Sequence, residues 1–440
     1  MKRILVISLL LVFKTGLFAQ TINLEQAREL ALANSRSLAR YEMAIRSSVL
    51  DEKNQLYTML PQVSAGYNAS MSFLRNWEFV NPFDTFTAGA SFSITQIVFQ
   101  GGKSFINRAI SLIATENVRI DARAEFFNVL DAIDNAYYAV LEASAALEAE
   151  ESTLQAAILG HSIAEIRHTS GMINQGDYLK ALADKETREN SRNQARRNLT
   201  SAMTRFRTLT GITENVELEQ ISFEAYEDVI KHLAGISDEK AFELFEEFWS
   251  MIESANPSLA KAELNTVRAE NNFKLAKRDF APTISATIFS TDMSFLPSYN
   301  STGTSGISLR GTIPVDFWVL NNRIERSRIS RDSALLDFDG SVISLEQDLQ
   351  NALFNLFSQA GSVLSSRRSL EYTERHFEFV MQRYRLLQSS VSDLTEATTL
   401  FINSRNSLNR ASYSFLQGLS RLRSLCALDD EQKLLEILMK

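Results

Sequence analysis

The sequence predicts an internally duplicated chain of mixed class, in which two pairs of membrane-type β-strands alternate with two very long helical hairpins. Three observations predict it. Ser37-Leu38-Ala39 recurs as Ser258-Leu259-Ala260, and Pro61 recurs as Pro282, both 221 residues on. Arg167…Asp177…Ala181 recurs as Arg383…Asp393…Ala397 with identical internal spacing. In each copy a helical pattern runs into the proline and an alternating stretch follows it, so one architecture is built twice. Only 16 Gly and 6 Pro in 440 residues leave room for long uninterrupted elements.

Residues 1–19 have the form of an export signal. Lys2 and Arg3 give a positive start, Ile4 to Phe13 an apolar run interrupted afterwards by Lys14, and Leu17-Phe18-Ala19 an end suited to cleavage near Ala19 or Gln20. The run is too short for a bilayer-spanning anchor. No later segment has the composition of a transmembrane helix. An exported chain of this kind that stays in a membrane crosses it as a closed sheet, because lipid offers no partners to backbone N–H and C=O groups. The net charge of -8 argues against nucleic acid, and the single cysteine, Cys426, excludes an internal disulfide framework.

Residues 20–61 read as the first-copy helical region, and 62–99 as the first strand pair. From 62 to 73, Val63, Ala65, Tyr67, Ala69, Met71 and Phe73 share one face, while Gln62, Ser64, Gly66, Asn68, Ser70 and Ser72 share the other. Phe86, Ala88, Ala90, Phe92 and Ile94 oppose Thr87, Gly89, Ser91, Ser93 and Thr95 in the same way, after a loop with Trp77, Asn81 and Pro82. The second copy has a helix over 249–282 and strands over 283–316. Ile284, Ala286 and Ile288 oppose Thr283, Ser285 and Thr287; after a loop with Pro297 and Gly303, Ile307, Leu309, Gly311, Ile313 and Val315 oppose Ser308, Arg310 and Thr312. Small hydroxyls on the polar side suit a wet lumen, and Phe73, Trp77, Phe99, Phe295, Phe317 and Trp318 near the strand ends suit an interfacial girdle. A soluble sheet with one face on a core would alternate too, but the export signal and the lack of a covering helix favour the membrane. Four strands are too few to close a barrel, for which about eight is the minimum. Several copies must therefore pool their strands.

Residues 100–210 and 317–426 read as helical hairpins. The stretch from Ser104 to His168 has one internal glycine and no proline, and could reach on the order of 95 Å. Phe126, Leu130, Ile133, Tyr137, Val140, Leu147, Leu154 and Ile158 form a coiled-coil seam. In the last helix Leu394, Phe401, Leu408, Phe415 and Leu422 alternate with the smaller Ala397, Ser404, Ala411 and Gly418, a pattern that interlocks closely packed helices. The hairpin turns fall at 168–177 and 386–393, with Gly171 and Gly176 as helix stops and Asp177 and Asp393 as caps of the next helix. Residues 211–248 are acidic and read as a small side domain with a solvated charged face, and 427–440 as a C-terminal tail.

No catalytic, metal or cofactor chemistry is legible. Gln100-Gly101-Gly102-Lys103 lacks the residues of a phosphate loop and reads as a strand-to-helix hinge. His161, His168, His232 and His376 form no ligand set with Cys426. No Ser-His-Asp pattern is visible. Arg188, Arg192 and Arg196 form a stripe expected to be solvated and paired with acids such as Asp184 and Glu189.

Taken together, these motifs resemble the TolC-like outer-membrane efflux proteins over nearly all of the mature length. Asp393-Leu394-Thr395-Glu396-Ala397-Thr398-Thr399-Leu400-Phe401 is similar to that family's second periplasmic turn and following helix, and Arg167…Gly171…Asp177…Ala181 to its first. The resemblance implies a homotrimer with four strands per protomer in a shared twelve-stranded outer-membrane barrel, continued in the periplasm by a barrel of coiled-coil helices. It implies a passive duct without enzymatic activity or cofactor, opened at its periplasmic end by an adaptor (membrane fusion) protein and an inner-membrane transporter. By the same resemblance Tyr384 and Asp177 belong to the gate, while the family's gate arginine falls on Ser389, leaving Arg383 or Arg385 as substitutes. Asp393 and Glu396 fall on acidic-ring positions, and Arg167, Gly171 and Leu387 on turns that contact the adaptor. Three copies of such a ring would attract cations and push carboxyl pKa values up by repulsion. The other reading is a structural or adhesive envelope protein whose helices are a spacer; drugs, metal ions and polypeptides all remain open as cargo.

Overall fold

The computed structural model describes residues 20–70, 74–75, 78–79, 87–214, 216–293, 304–428 and 430–439. The export signal and the loop residues Phe73, Trp77, Asn81, Pro82, Phe295, Pro297 and Gly303 lie outside them. In chain order the elements are β1 (Gln20–Ile22), α1 (Leu24–Asn34), α2 (Arg36–Tyr57), β2 (Gln62–Ser70), β3 (Leu74–Arg75), β4 (Glu78–Phe79), β5 (Thr87–Phe99), α3 (Lys103–Thr169) and α4 (Gln175–Thr210). They continue as β6 (Val216–Leu218), α5 (Glu227–Ala234), α6 (Asp238–Ala255), α7 (Pro257–Lys277), β7 (Thr283–Met293), β8 (Ser305–Thr312), α8 (Phe317–Arg385), α9 (Val391–Leu425) and α10 (Glu431–Leu438).

Strands β2, β5, β7 and β8 form one antiparallel sheet in that order. The register keeps the alternation: Val63 pairs with Ile94 and Ala65 with Phe92, while Ser64 pairs with Ser93 and Gln62 with Thr95. Hydroxyls bond across the polar face, Ser64 to Ser93 at 2.7 Å and Thr95 to Thr287 at 3.1 Å. On the other face Val63, Tyr67, Ile288, Ile307 and Leu309 are exposed. β5 runs on to Phe99 and β7 to Met293, past the alternating stretches, through bulges between Ala90 and Phe92 and between Ile97 and Phe99. β8 stops at Thr312, short of Ile313 and Val315, because Pro314 cannot donate to the ladder.

The strands enter the helices through the hinge at Gly101 and Gly102, both with positive φ (65° and 79°). A Cβ on Gly101 would lie 2.2 Å from that of Ala281, so the second copy presses on the first here. Lys103 and Arg323 both pair with Asp279 at 2.8 Å and tie the two hinges together. α3 has 67 residues and α8 has 69, each about 100 Å long. Along the α3 seam Leu130, Ile133, Tyr137, Val140 and Leu154 are buried, whereas Ile158 is exposed and has left it. In α9, Leu394, Phe401, Phe415 and Leu422 are buried.

The main core lies midway along the helices, where α1, α3, α8 and α9 meet the side domain and α10. β1 pairs in parallel with β6, so the first described residues are stitched to the side domain. The expected boundary between 248 and 249 falls inside α6. Phe248 and Ile252 are both fully buried, so the apolar face of α6 runs unbroken across the point where the acidic composition ends.

Candidate functional site

The far ends of the two hairpins form a compact tip with a repeated design. Helix α3 ends with Ser170 and Gly171; Gly171 has φ 72°, its N–H bonds His168 O, and Met172 N–H bonds Arg167 O at 2.7 Å. Helix α8 ends the same way 216 residues later. Leu387 has φ 64°, its N–H bonds Tyr384 O, and Gln388 N–H bonds Arg383 O at 2.8 Å. Each pattern satisfies carbonyls left free by the end of the helix. The next helices are capped by Asn174, whose Oδ1 accepts from Asp177 N–H, and by Ser390, whose Oγ accepts from Asp393 N–H. Asp177 and Asp393 are thus third residues of their helices, not the caps expected from sequence, and Gly176 lies inside α4. The turns offer several cap residues in a row, and the asparagine and serine come first. Asp393 returns a bond to Ser390 N–H at 3.0 Å, completing a capping box, and accepts from Ser389 Oγ at 2.9 Å. The bonds to the Ser390 backbone and the two serine hydroxyls hold its carboxyl below the usual range.

Between the turns a small core joins the hairpins: Ala164, Ala181, Val380, Met381, Tyr384, Val391, Leu394 and Ala397. Gly160 admits Leu394, whose Cδ2 would be 3.1 Å from a Cβ placed there. Tyr384 is fully buried and donates its hydroxyl to Gly160 O at 3.0 Å. Burial pushes its pKa up, against the Arg167 charge, which pulls it down. The Arg167 guanidinium sits 4.9 Å from the Tyr384 ring centre and donates to Ser389 O at 3.2 Å. Arg188 is buried rather than solvated, pairing with Asp184 at 3.5 Å and donating to Thr399 Oγ1 at 2.7 Å, so that it too bridges the hairpins. Burial raises the Asp184 pKa.

At the middle of the molecule a second polar constellation is centred on a fully buried carboxylate. Asp134 on α3, with no exposed surface, accepts from Arg28 of α1 at 2.7 and 2.9 Å, from Arg423 of α9 at 2.7 Å and from Ser420 Oγ at 2.9 Å. Glu431 of α10 reaches Arg28 at 3.3 Å and Arg423 at 3.8 Å, and accepts from Tyr226 Oη at 2.9 Å. Arg28 also pairs with the exposed Glu25 at 2.5 Å, so two guanidiniums meet three carboxylates. For Arg28 burial opposes the charged form, but the hydrogen bond and charge of Asp134, joined by Glu431, outweigh it and raise the pKa. Sequence reasoning missed this cluster; its one local sign is an acid interrupting the apolar run between Ile133 and Tyr137.

The outer membrane efflux protein family matches this chain over residues 27–212 and 249–427, which are its two copies. The chain belongs to the outer membrane efflux protein family. As a member it is an exit duct of the outer membrane, with a long helical body reaching into the periplasm. It is 22% identical to outer membrane protein TolC of Escherichia coli (strain K12), over 95% of this chain and 85% of that one. The fold is similar to the Campylobacter jejuni CmeC outer membrane channel (TM-score 0.74, 16% identity, covering 98% and 94% of the two chains). It is also similar to a membrane protein from Pseudomonas aeruginosa (TM-score 0.75, 15% identity, covering 94% and 92%). The family match leaves out most of the side domain and all of α10.

For an efflux protein the tip is the region where gate residues are expected, and the structure separates those expectations. Tyr384 and Arg167 lie together inside the tip core, while Asp393 and Glu396 are exposed on the first turns of α9 and Asp177 is half-buried on α4. Arg167, expected among surface turn residues, is buried because its charge is taken up by Tyr384 and Ser389. Arg383 donates to Gln388 O in its own turn at 2.9 Å. The guanidinium beside Ser389 is therefore that of Arg167 from the other hairpin. Gly171 and Met172 on the first turn and Leu386 and Leu387 on the second are exposed.

Proposed function

We propose that three copies of the chain assemble into a passive duct. Their sheets join into one twelve-stranded barrel, their hairpins continue as a tube, and a periplasmic adaptor with an inner-membrane transporter opens the tip. One observation carries the reading. The four-stranded sheet has an exposed apolar face and two edges, β2 and β8, that no other strand among the described residues covers. In lipid each edge group left without a partner costs several kcal/mol. Joining β2 of one copy to β8 of the next removes every edge, and a polar face lined by serine and threonine becomes a wet lumen.

Under this reading Asp393 and Glu396 of three copies form an acidic ring at the entrance. Their exposure and their spacing of three residues on α9 support it, and so do the hydrogen bonds that keep Asp393 charged. Tyr384 and Arg167 hold the two hairpins of each copy together while the tip is closed, and Asp177 lies beside them as the third gate residue. The exposed Met172, Leu386 and Leu387 suit an adaptor's apolar tip.

The test is the purified mature protein in detergent and in planar bilayers. A trimer is expected, passing a cation-selective current that multivalent cations block. The block is lost in the double variant Asp393→Ala, Glu396→Ala. A monomeric protein that conducts would overturn the shared barrel, and a block unchanged in the double variant would overturn the acidic ring.

A further inference from the structure

The sheet carries one basic residue, Arg310 of β8, and its register fixes the face on which it stands. Arg310 pairs with Ser285, between the Ser308–Thr287 and Thr312–Thr283 pairs. Thr287 in turn bonds Thr95, so Arg310 lies on the hydroxyl-bearing face, opposite that of Ile307 and Leu309. It is exposed and makes no ion pair among the described residues. Its position, two residues before the strand ends and seven before α8 begins, is the periplasmic mouth of the sheet. The hinge cations Lys103 and Arg323 are already neutralised on Asp279, whereas Arg310 has no such partner among the described residues.

We infer that Arg310 makes an anion-binding ring in the lumen where the helical tube enters the barrel, so that the duct favours cargo carrying an acidic group there. The inference rests on the shared-barrel reading, which turns one guanidinium into three. It gives the duct charges of opposite sign along its axis, acidic at the tip and basic at the barrel mouth. A guanidinium offers a planar fork of donors suited to carboxylate and phosphate, and the flanking Ser308 and Thr312 hydroxyls add donors on the same face. At 0.15 M salt the Debye length is about 8 Å, so isolated small anions meet one arginine at a time. At 0.01 M it is about 30 Å and the three act together.

The experiment uses the trimer in planar bilayers, with citrate added from the barrel side at low and high salt. Wild type is expected to be blocked by citrate, more weakly as salt rises. Arg310→Ala should raise the half-blocking concentration about tenfold, the sum of three individually weak exposed charge contacts. Arg310→Lys should keep most of the block, Arg310→Glu should abolish it, and the cation block that depends on Asp393 and Glu396 should be unchanged in all three. Citrate block equal in wild type and Arg310→Ala, or absent from a conducting wild type, overturns the ring. A wild-type protein that forms no trimer and no channel overturns the duct reading itself.

Discussion

The middle and the tip of the long hairpins are built to opposite specifications. At the middle of the molecule the helices are locked by a broad apolar core and by three buried charges from α1, α3 and α9, joined by the half-buried Glu431 of α10. At the tip the shared core has eight buried residues, Tyr384 the largest, joined by its hydroxyl, by the guanidiniums of Arg167 and Arg188, and by Lys180 on Ser392 Oγ. A helix about 100 Å long, fixed at its middle and lightly tied at its tip, moves more at the tip. That asymmetry is what an entrance opened by a partner requires, because opening must break few contacts while the body stays intact.

Breaking the fixed middle should have the largest effect. Asp134→Ala removes the one fully buried carboxylate from Arg28 and Arg423 and leaves them the partly exposed Glu431 and, for Arg28, the exposed Glu25. Removing one partner of a buried ion pair costs about 3–5 kcal/mol. The expected outcome is a fall of that size in the unfolding free energy of the whole protein, seen in denaturant titration, with reduced trimer in membranes. A loss under about 1 kcal/mol would mean that solvent reaches the cluster and that the middle and the tip are not so different.

Much of this architecture is legible in the sequence because it obeys two short periods. Alternation marks β2 and β5, and the heptads of α9 mark its inward face, with Leu394, Phe401, Phe415 and Leu422 buried and Leu408 half-buried. The duplication extends to details that periodicity alone does not reach: Gly171 and Leu387 occupy the same left-handed position, and Gly211 and Ala427 do so again at the other helix ends. What stays illegible is contact between distant segments. Arg28 and Glu431 are 403 residues apart, and nothing local to either announces the other. Arg188 looks like a surface charge on its helix, yet α9 covers it. For the same reason the sequence points to Arg383 or Arg385 in place of an arginine at Ser389, while the guanidinium bonded to Ser389 O is that of Arg167, 222 residues away.

At the tip a smaller change should have a local result. Tyr384→Phe keeps the ring packed against Arg167 and removes the hydroxyl bonded to Gly160 O. A neutral hydrogen bond of this kind is worth about 0.5–1.5 kcal/mol. Global unfolding should move by no more than that. The sensitive readout is the closed entrance: single-channel current should rise and the turns should become open to protease. If the current is unchanged while the protein unfolds earlier as a whole, the tip and the body are one cooperative unit and the proposed asymmetry fails.

The finest comparison is between the two turns themselves. They share the same hydrogen bonds and nearly the same φ, but the first places glycine at the left-handed residue and the second places leucine, more than half exposed. A left-handed leucine costs about 1–2 kcal/mol relative to glycine because its Cβ crowds the neighbouring carbonyl. An exposed side chain recovers little of this by packing in the free protein; under the proposed adaptor contact, Leu387 recovers it in the complex. Leu387→Gly should therefore leave the duct folded and its second turn slightly more stable, by less than about 1 kcal/mol because glycine also loosens the unfolded chain. The same change should weaken cross-linking of the tip to its adaptor in cells. The reverse substitution, Gly171→Leu, should destabilise the first turn by a similar amount, since nothing lies within 4 Å of that position to reward a side chain. Equal adaptor cross-linking in wild type and Leu387→Gly would show that the strain at the second turn has no partner to explain it.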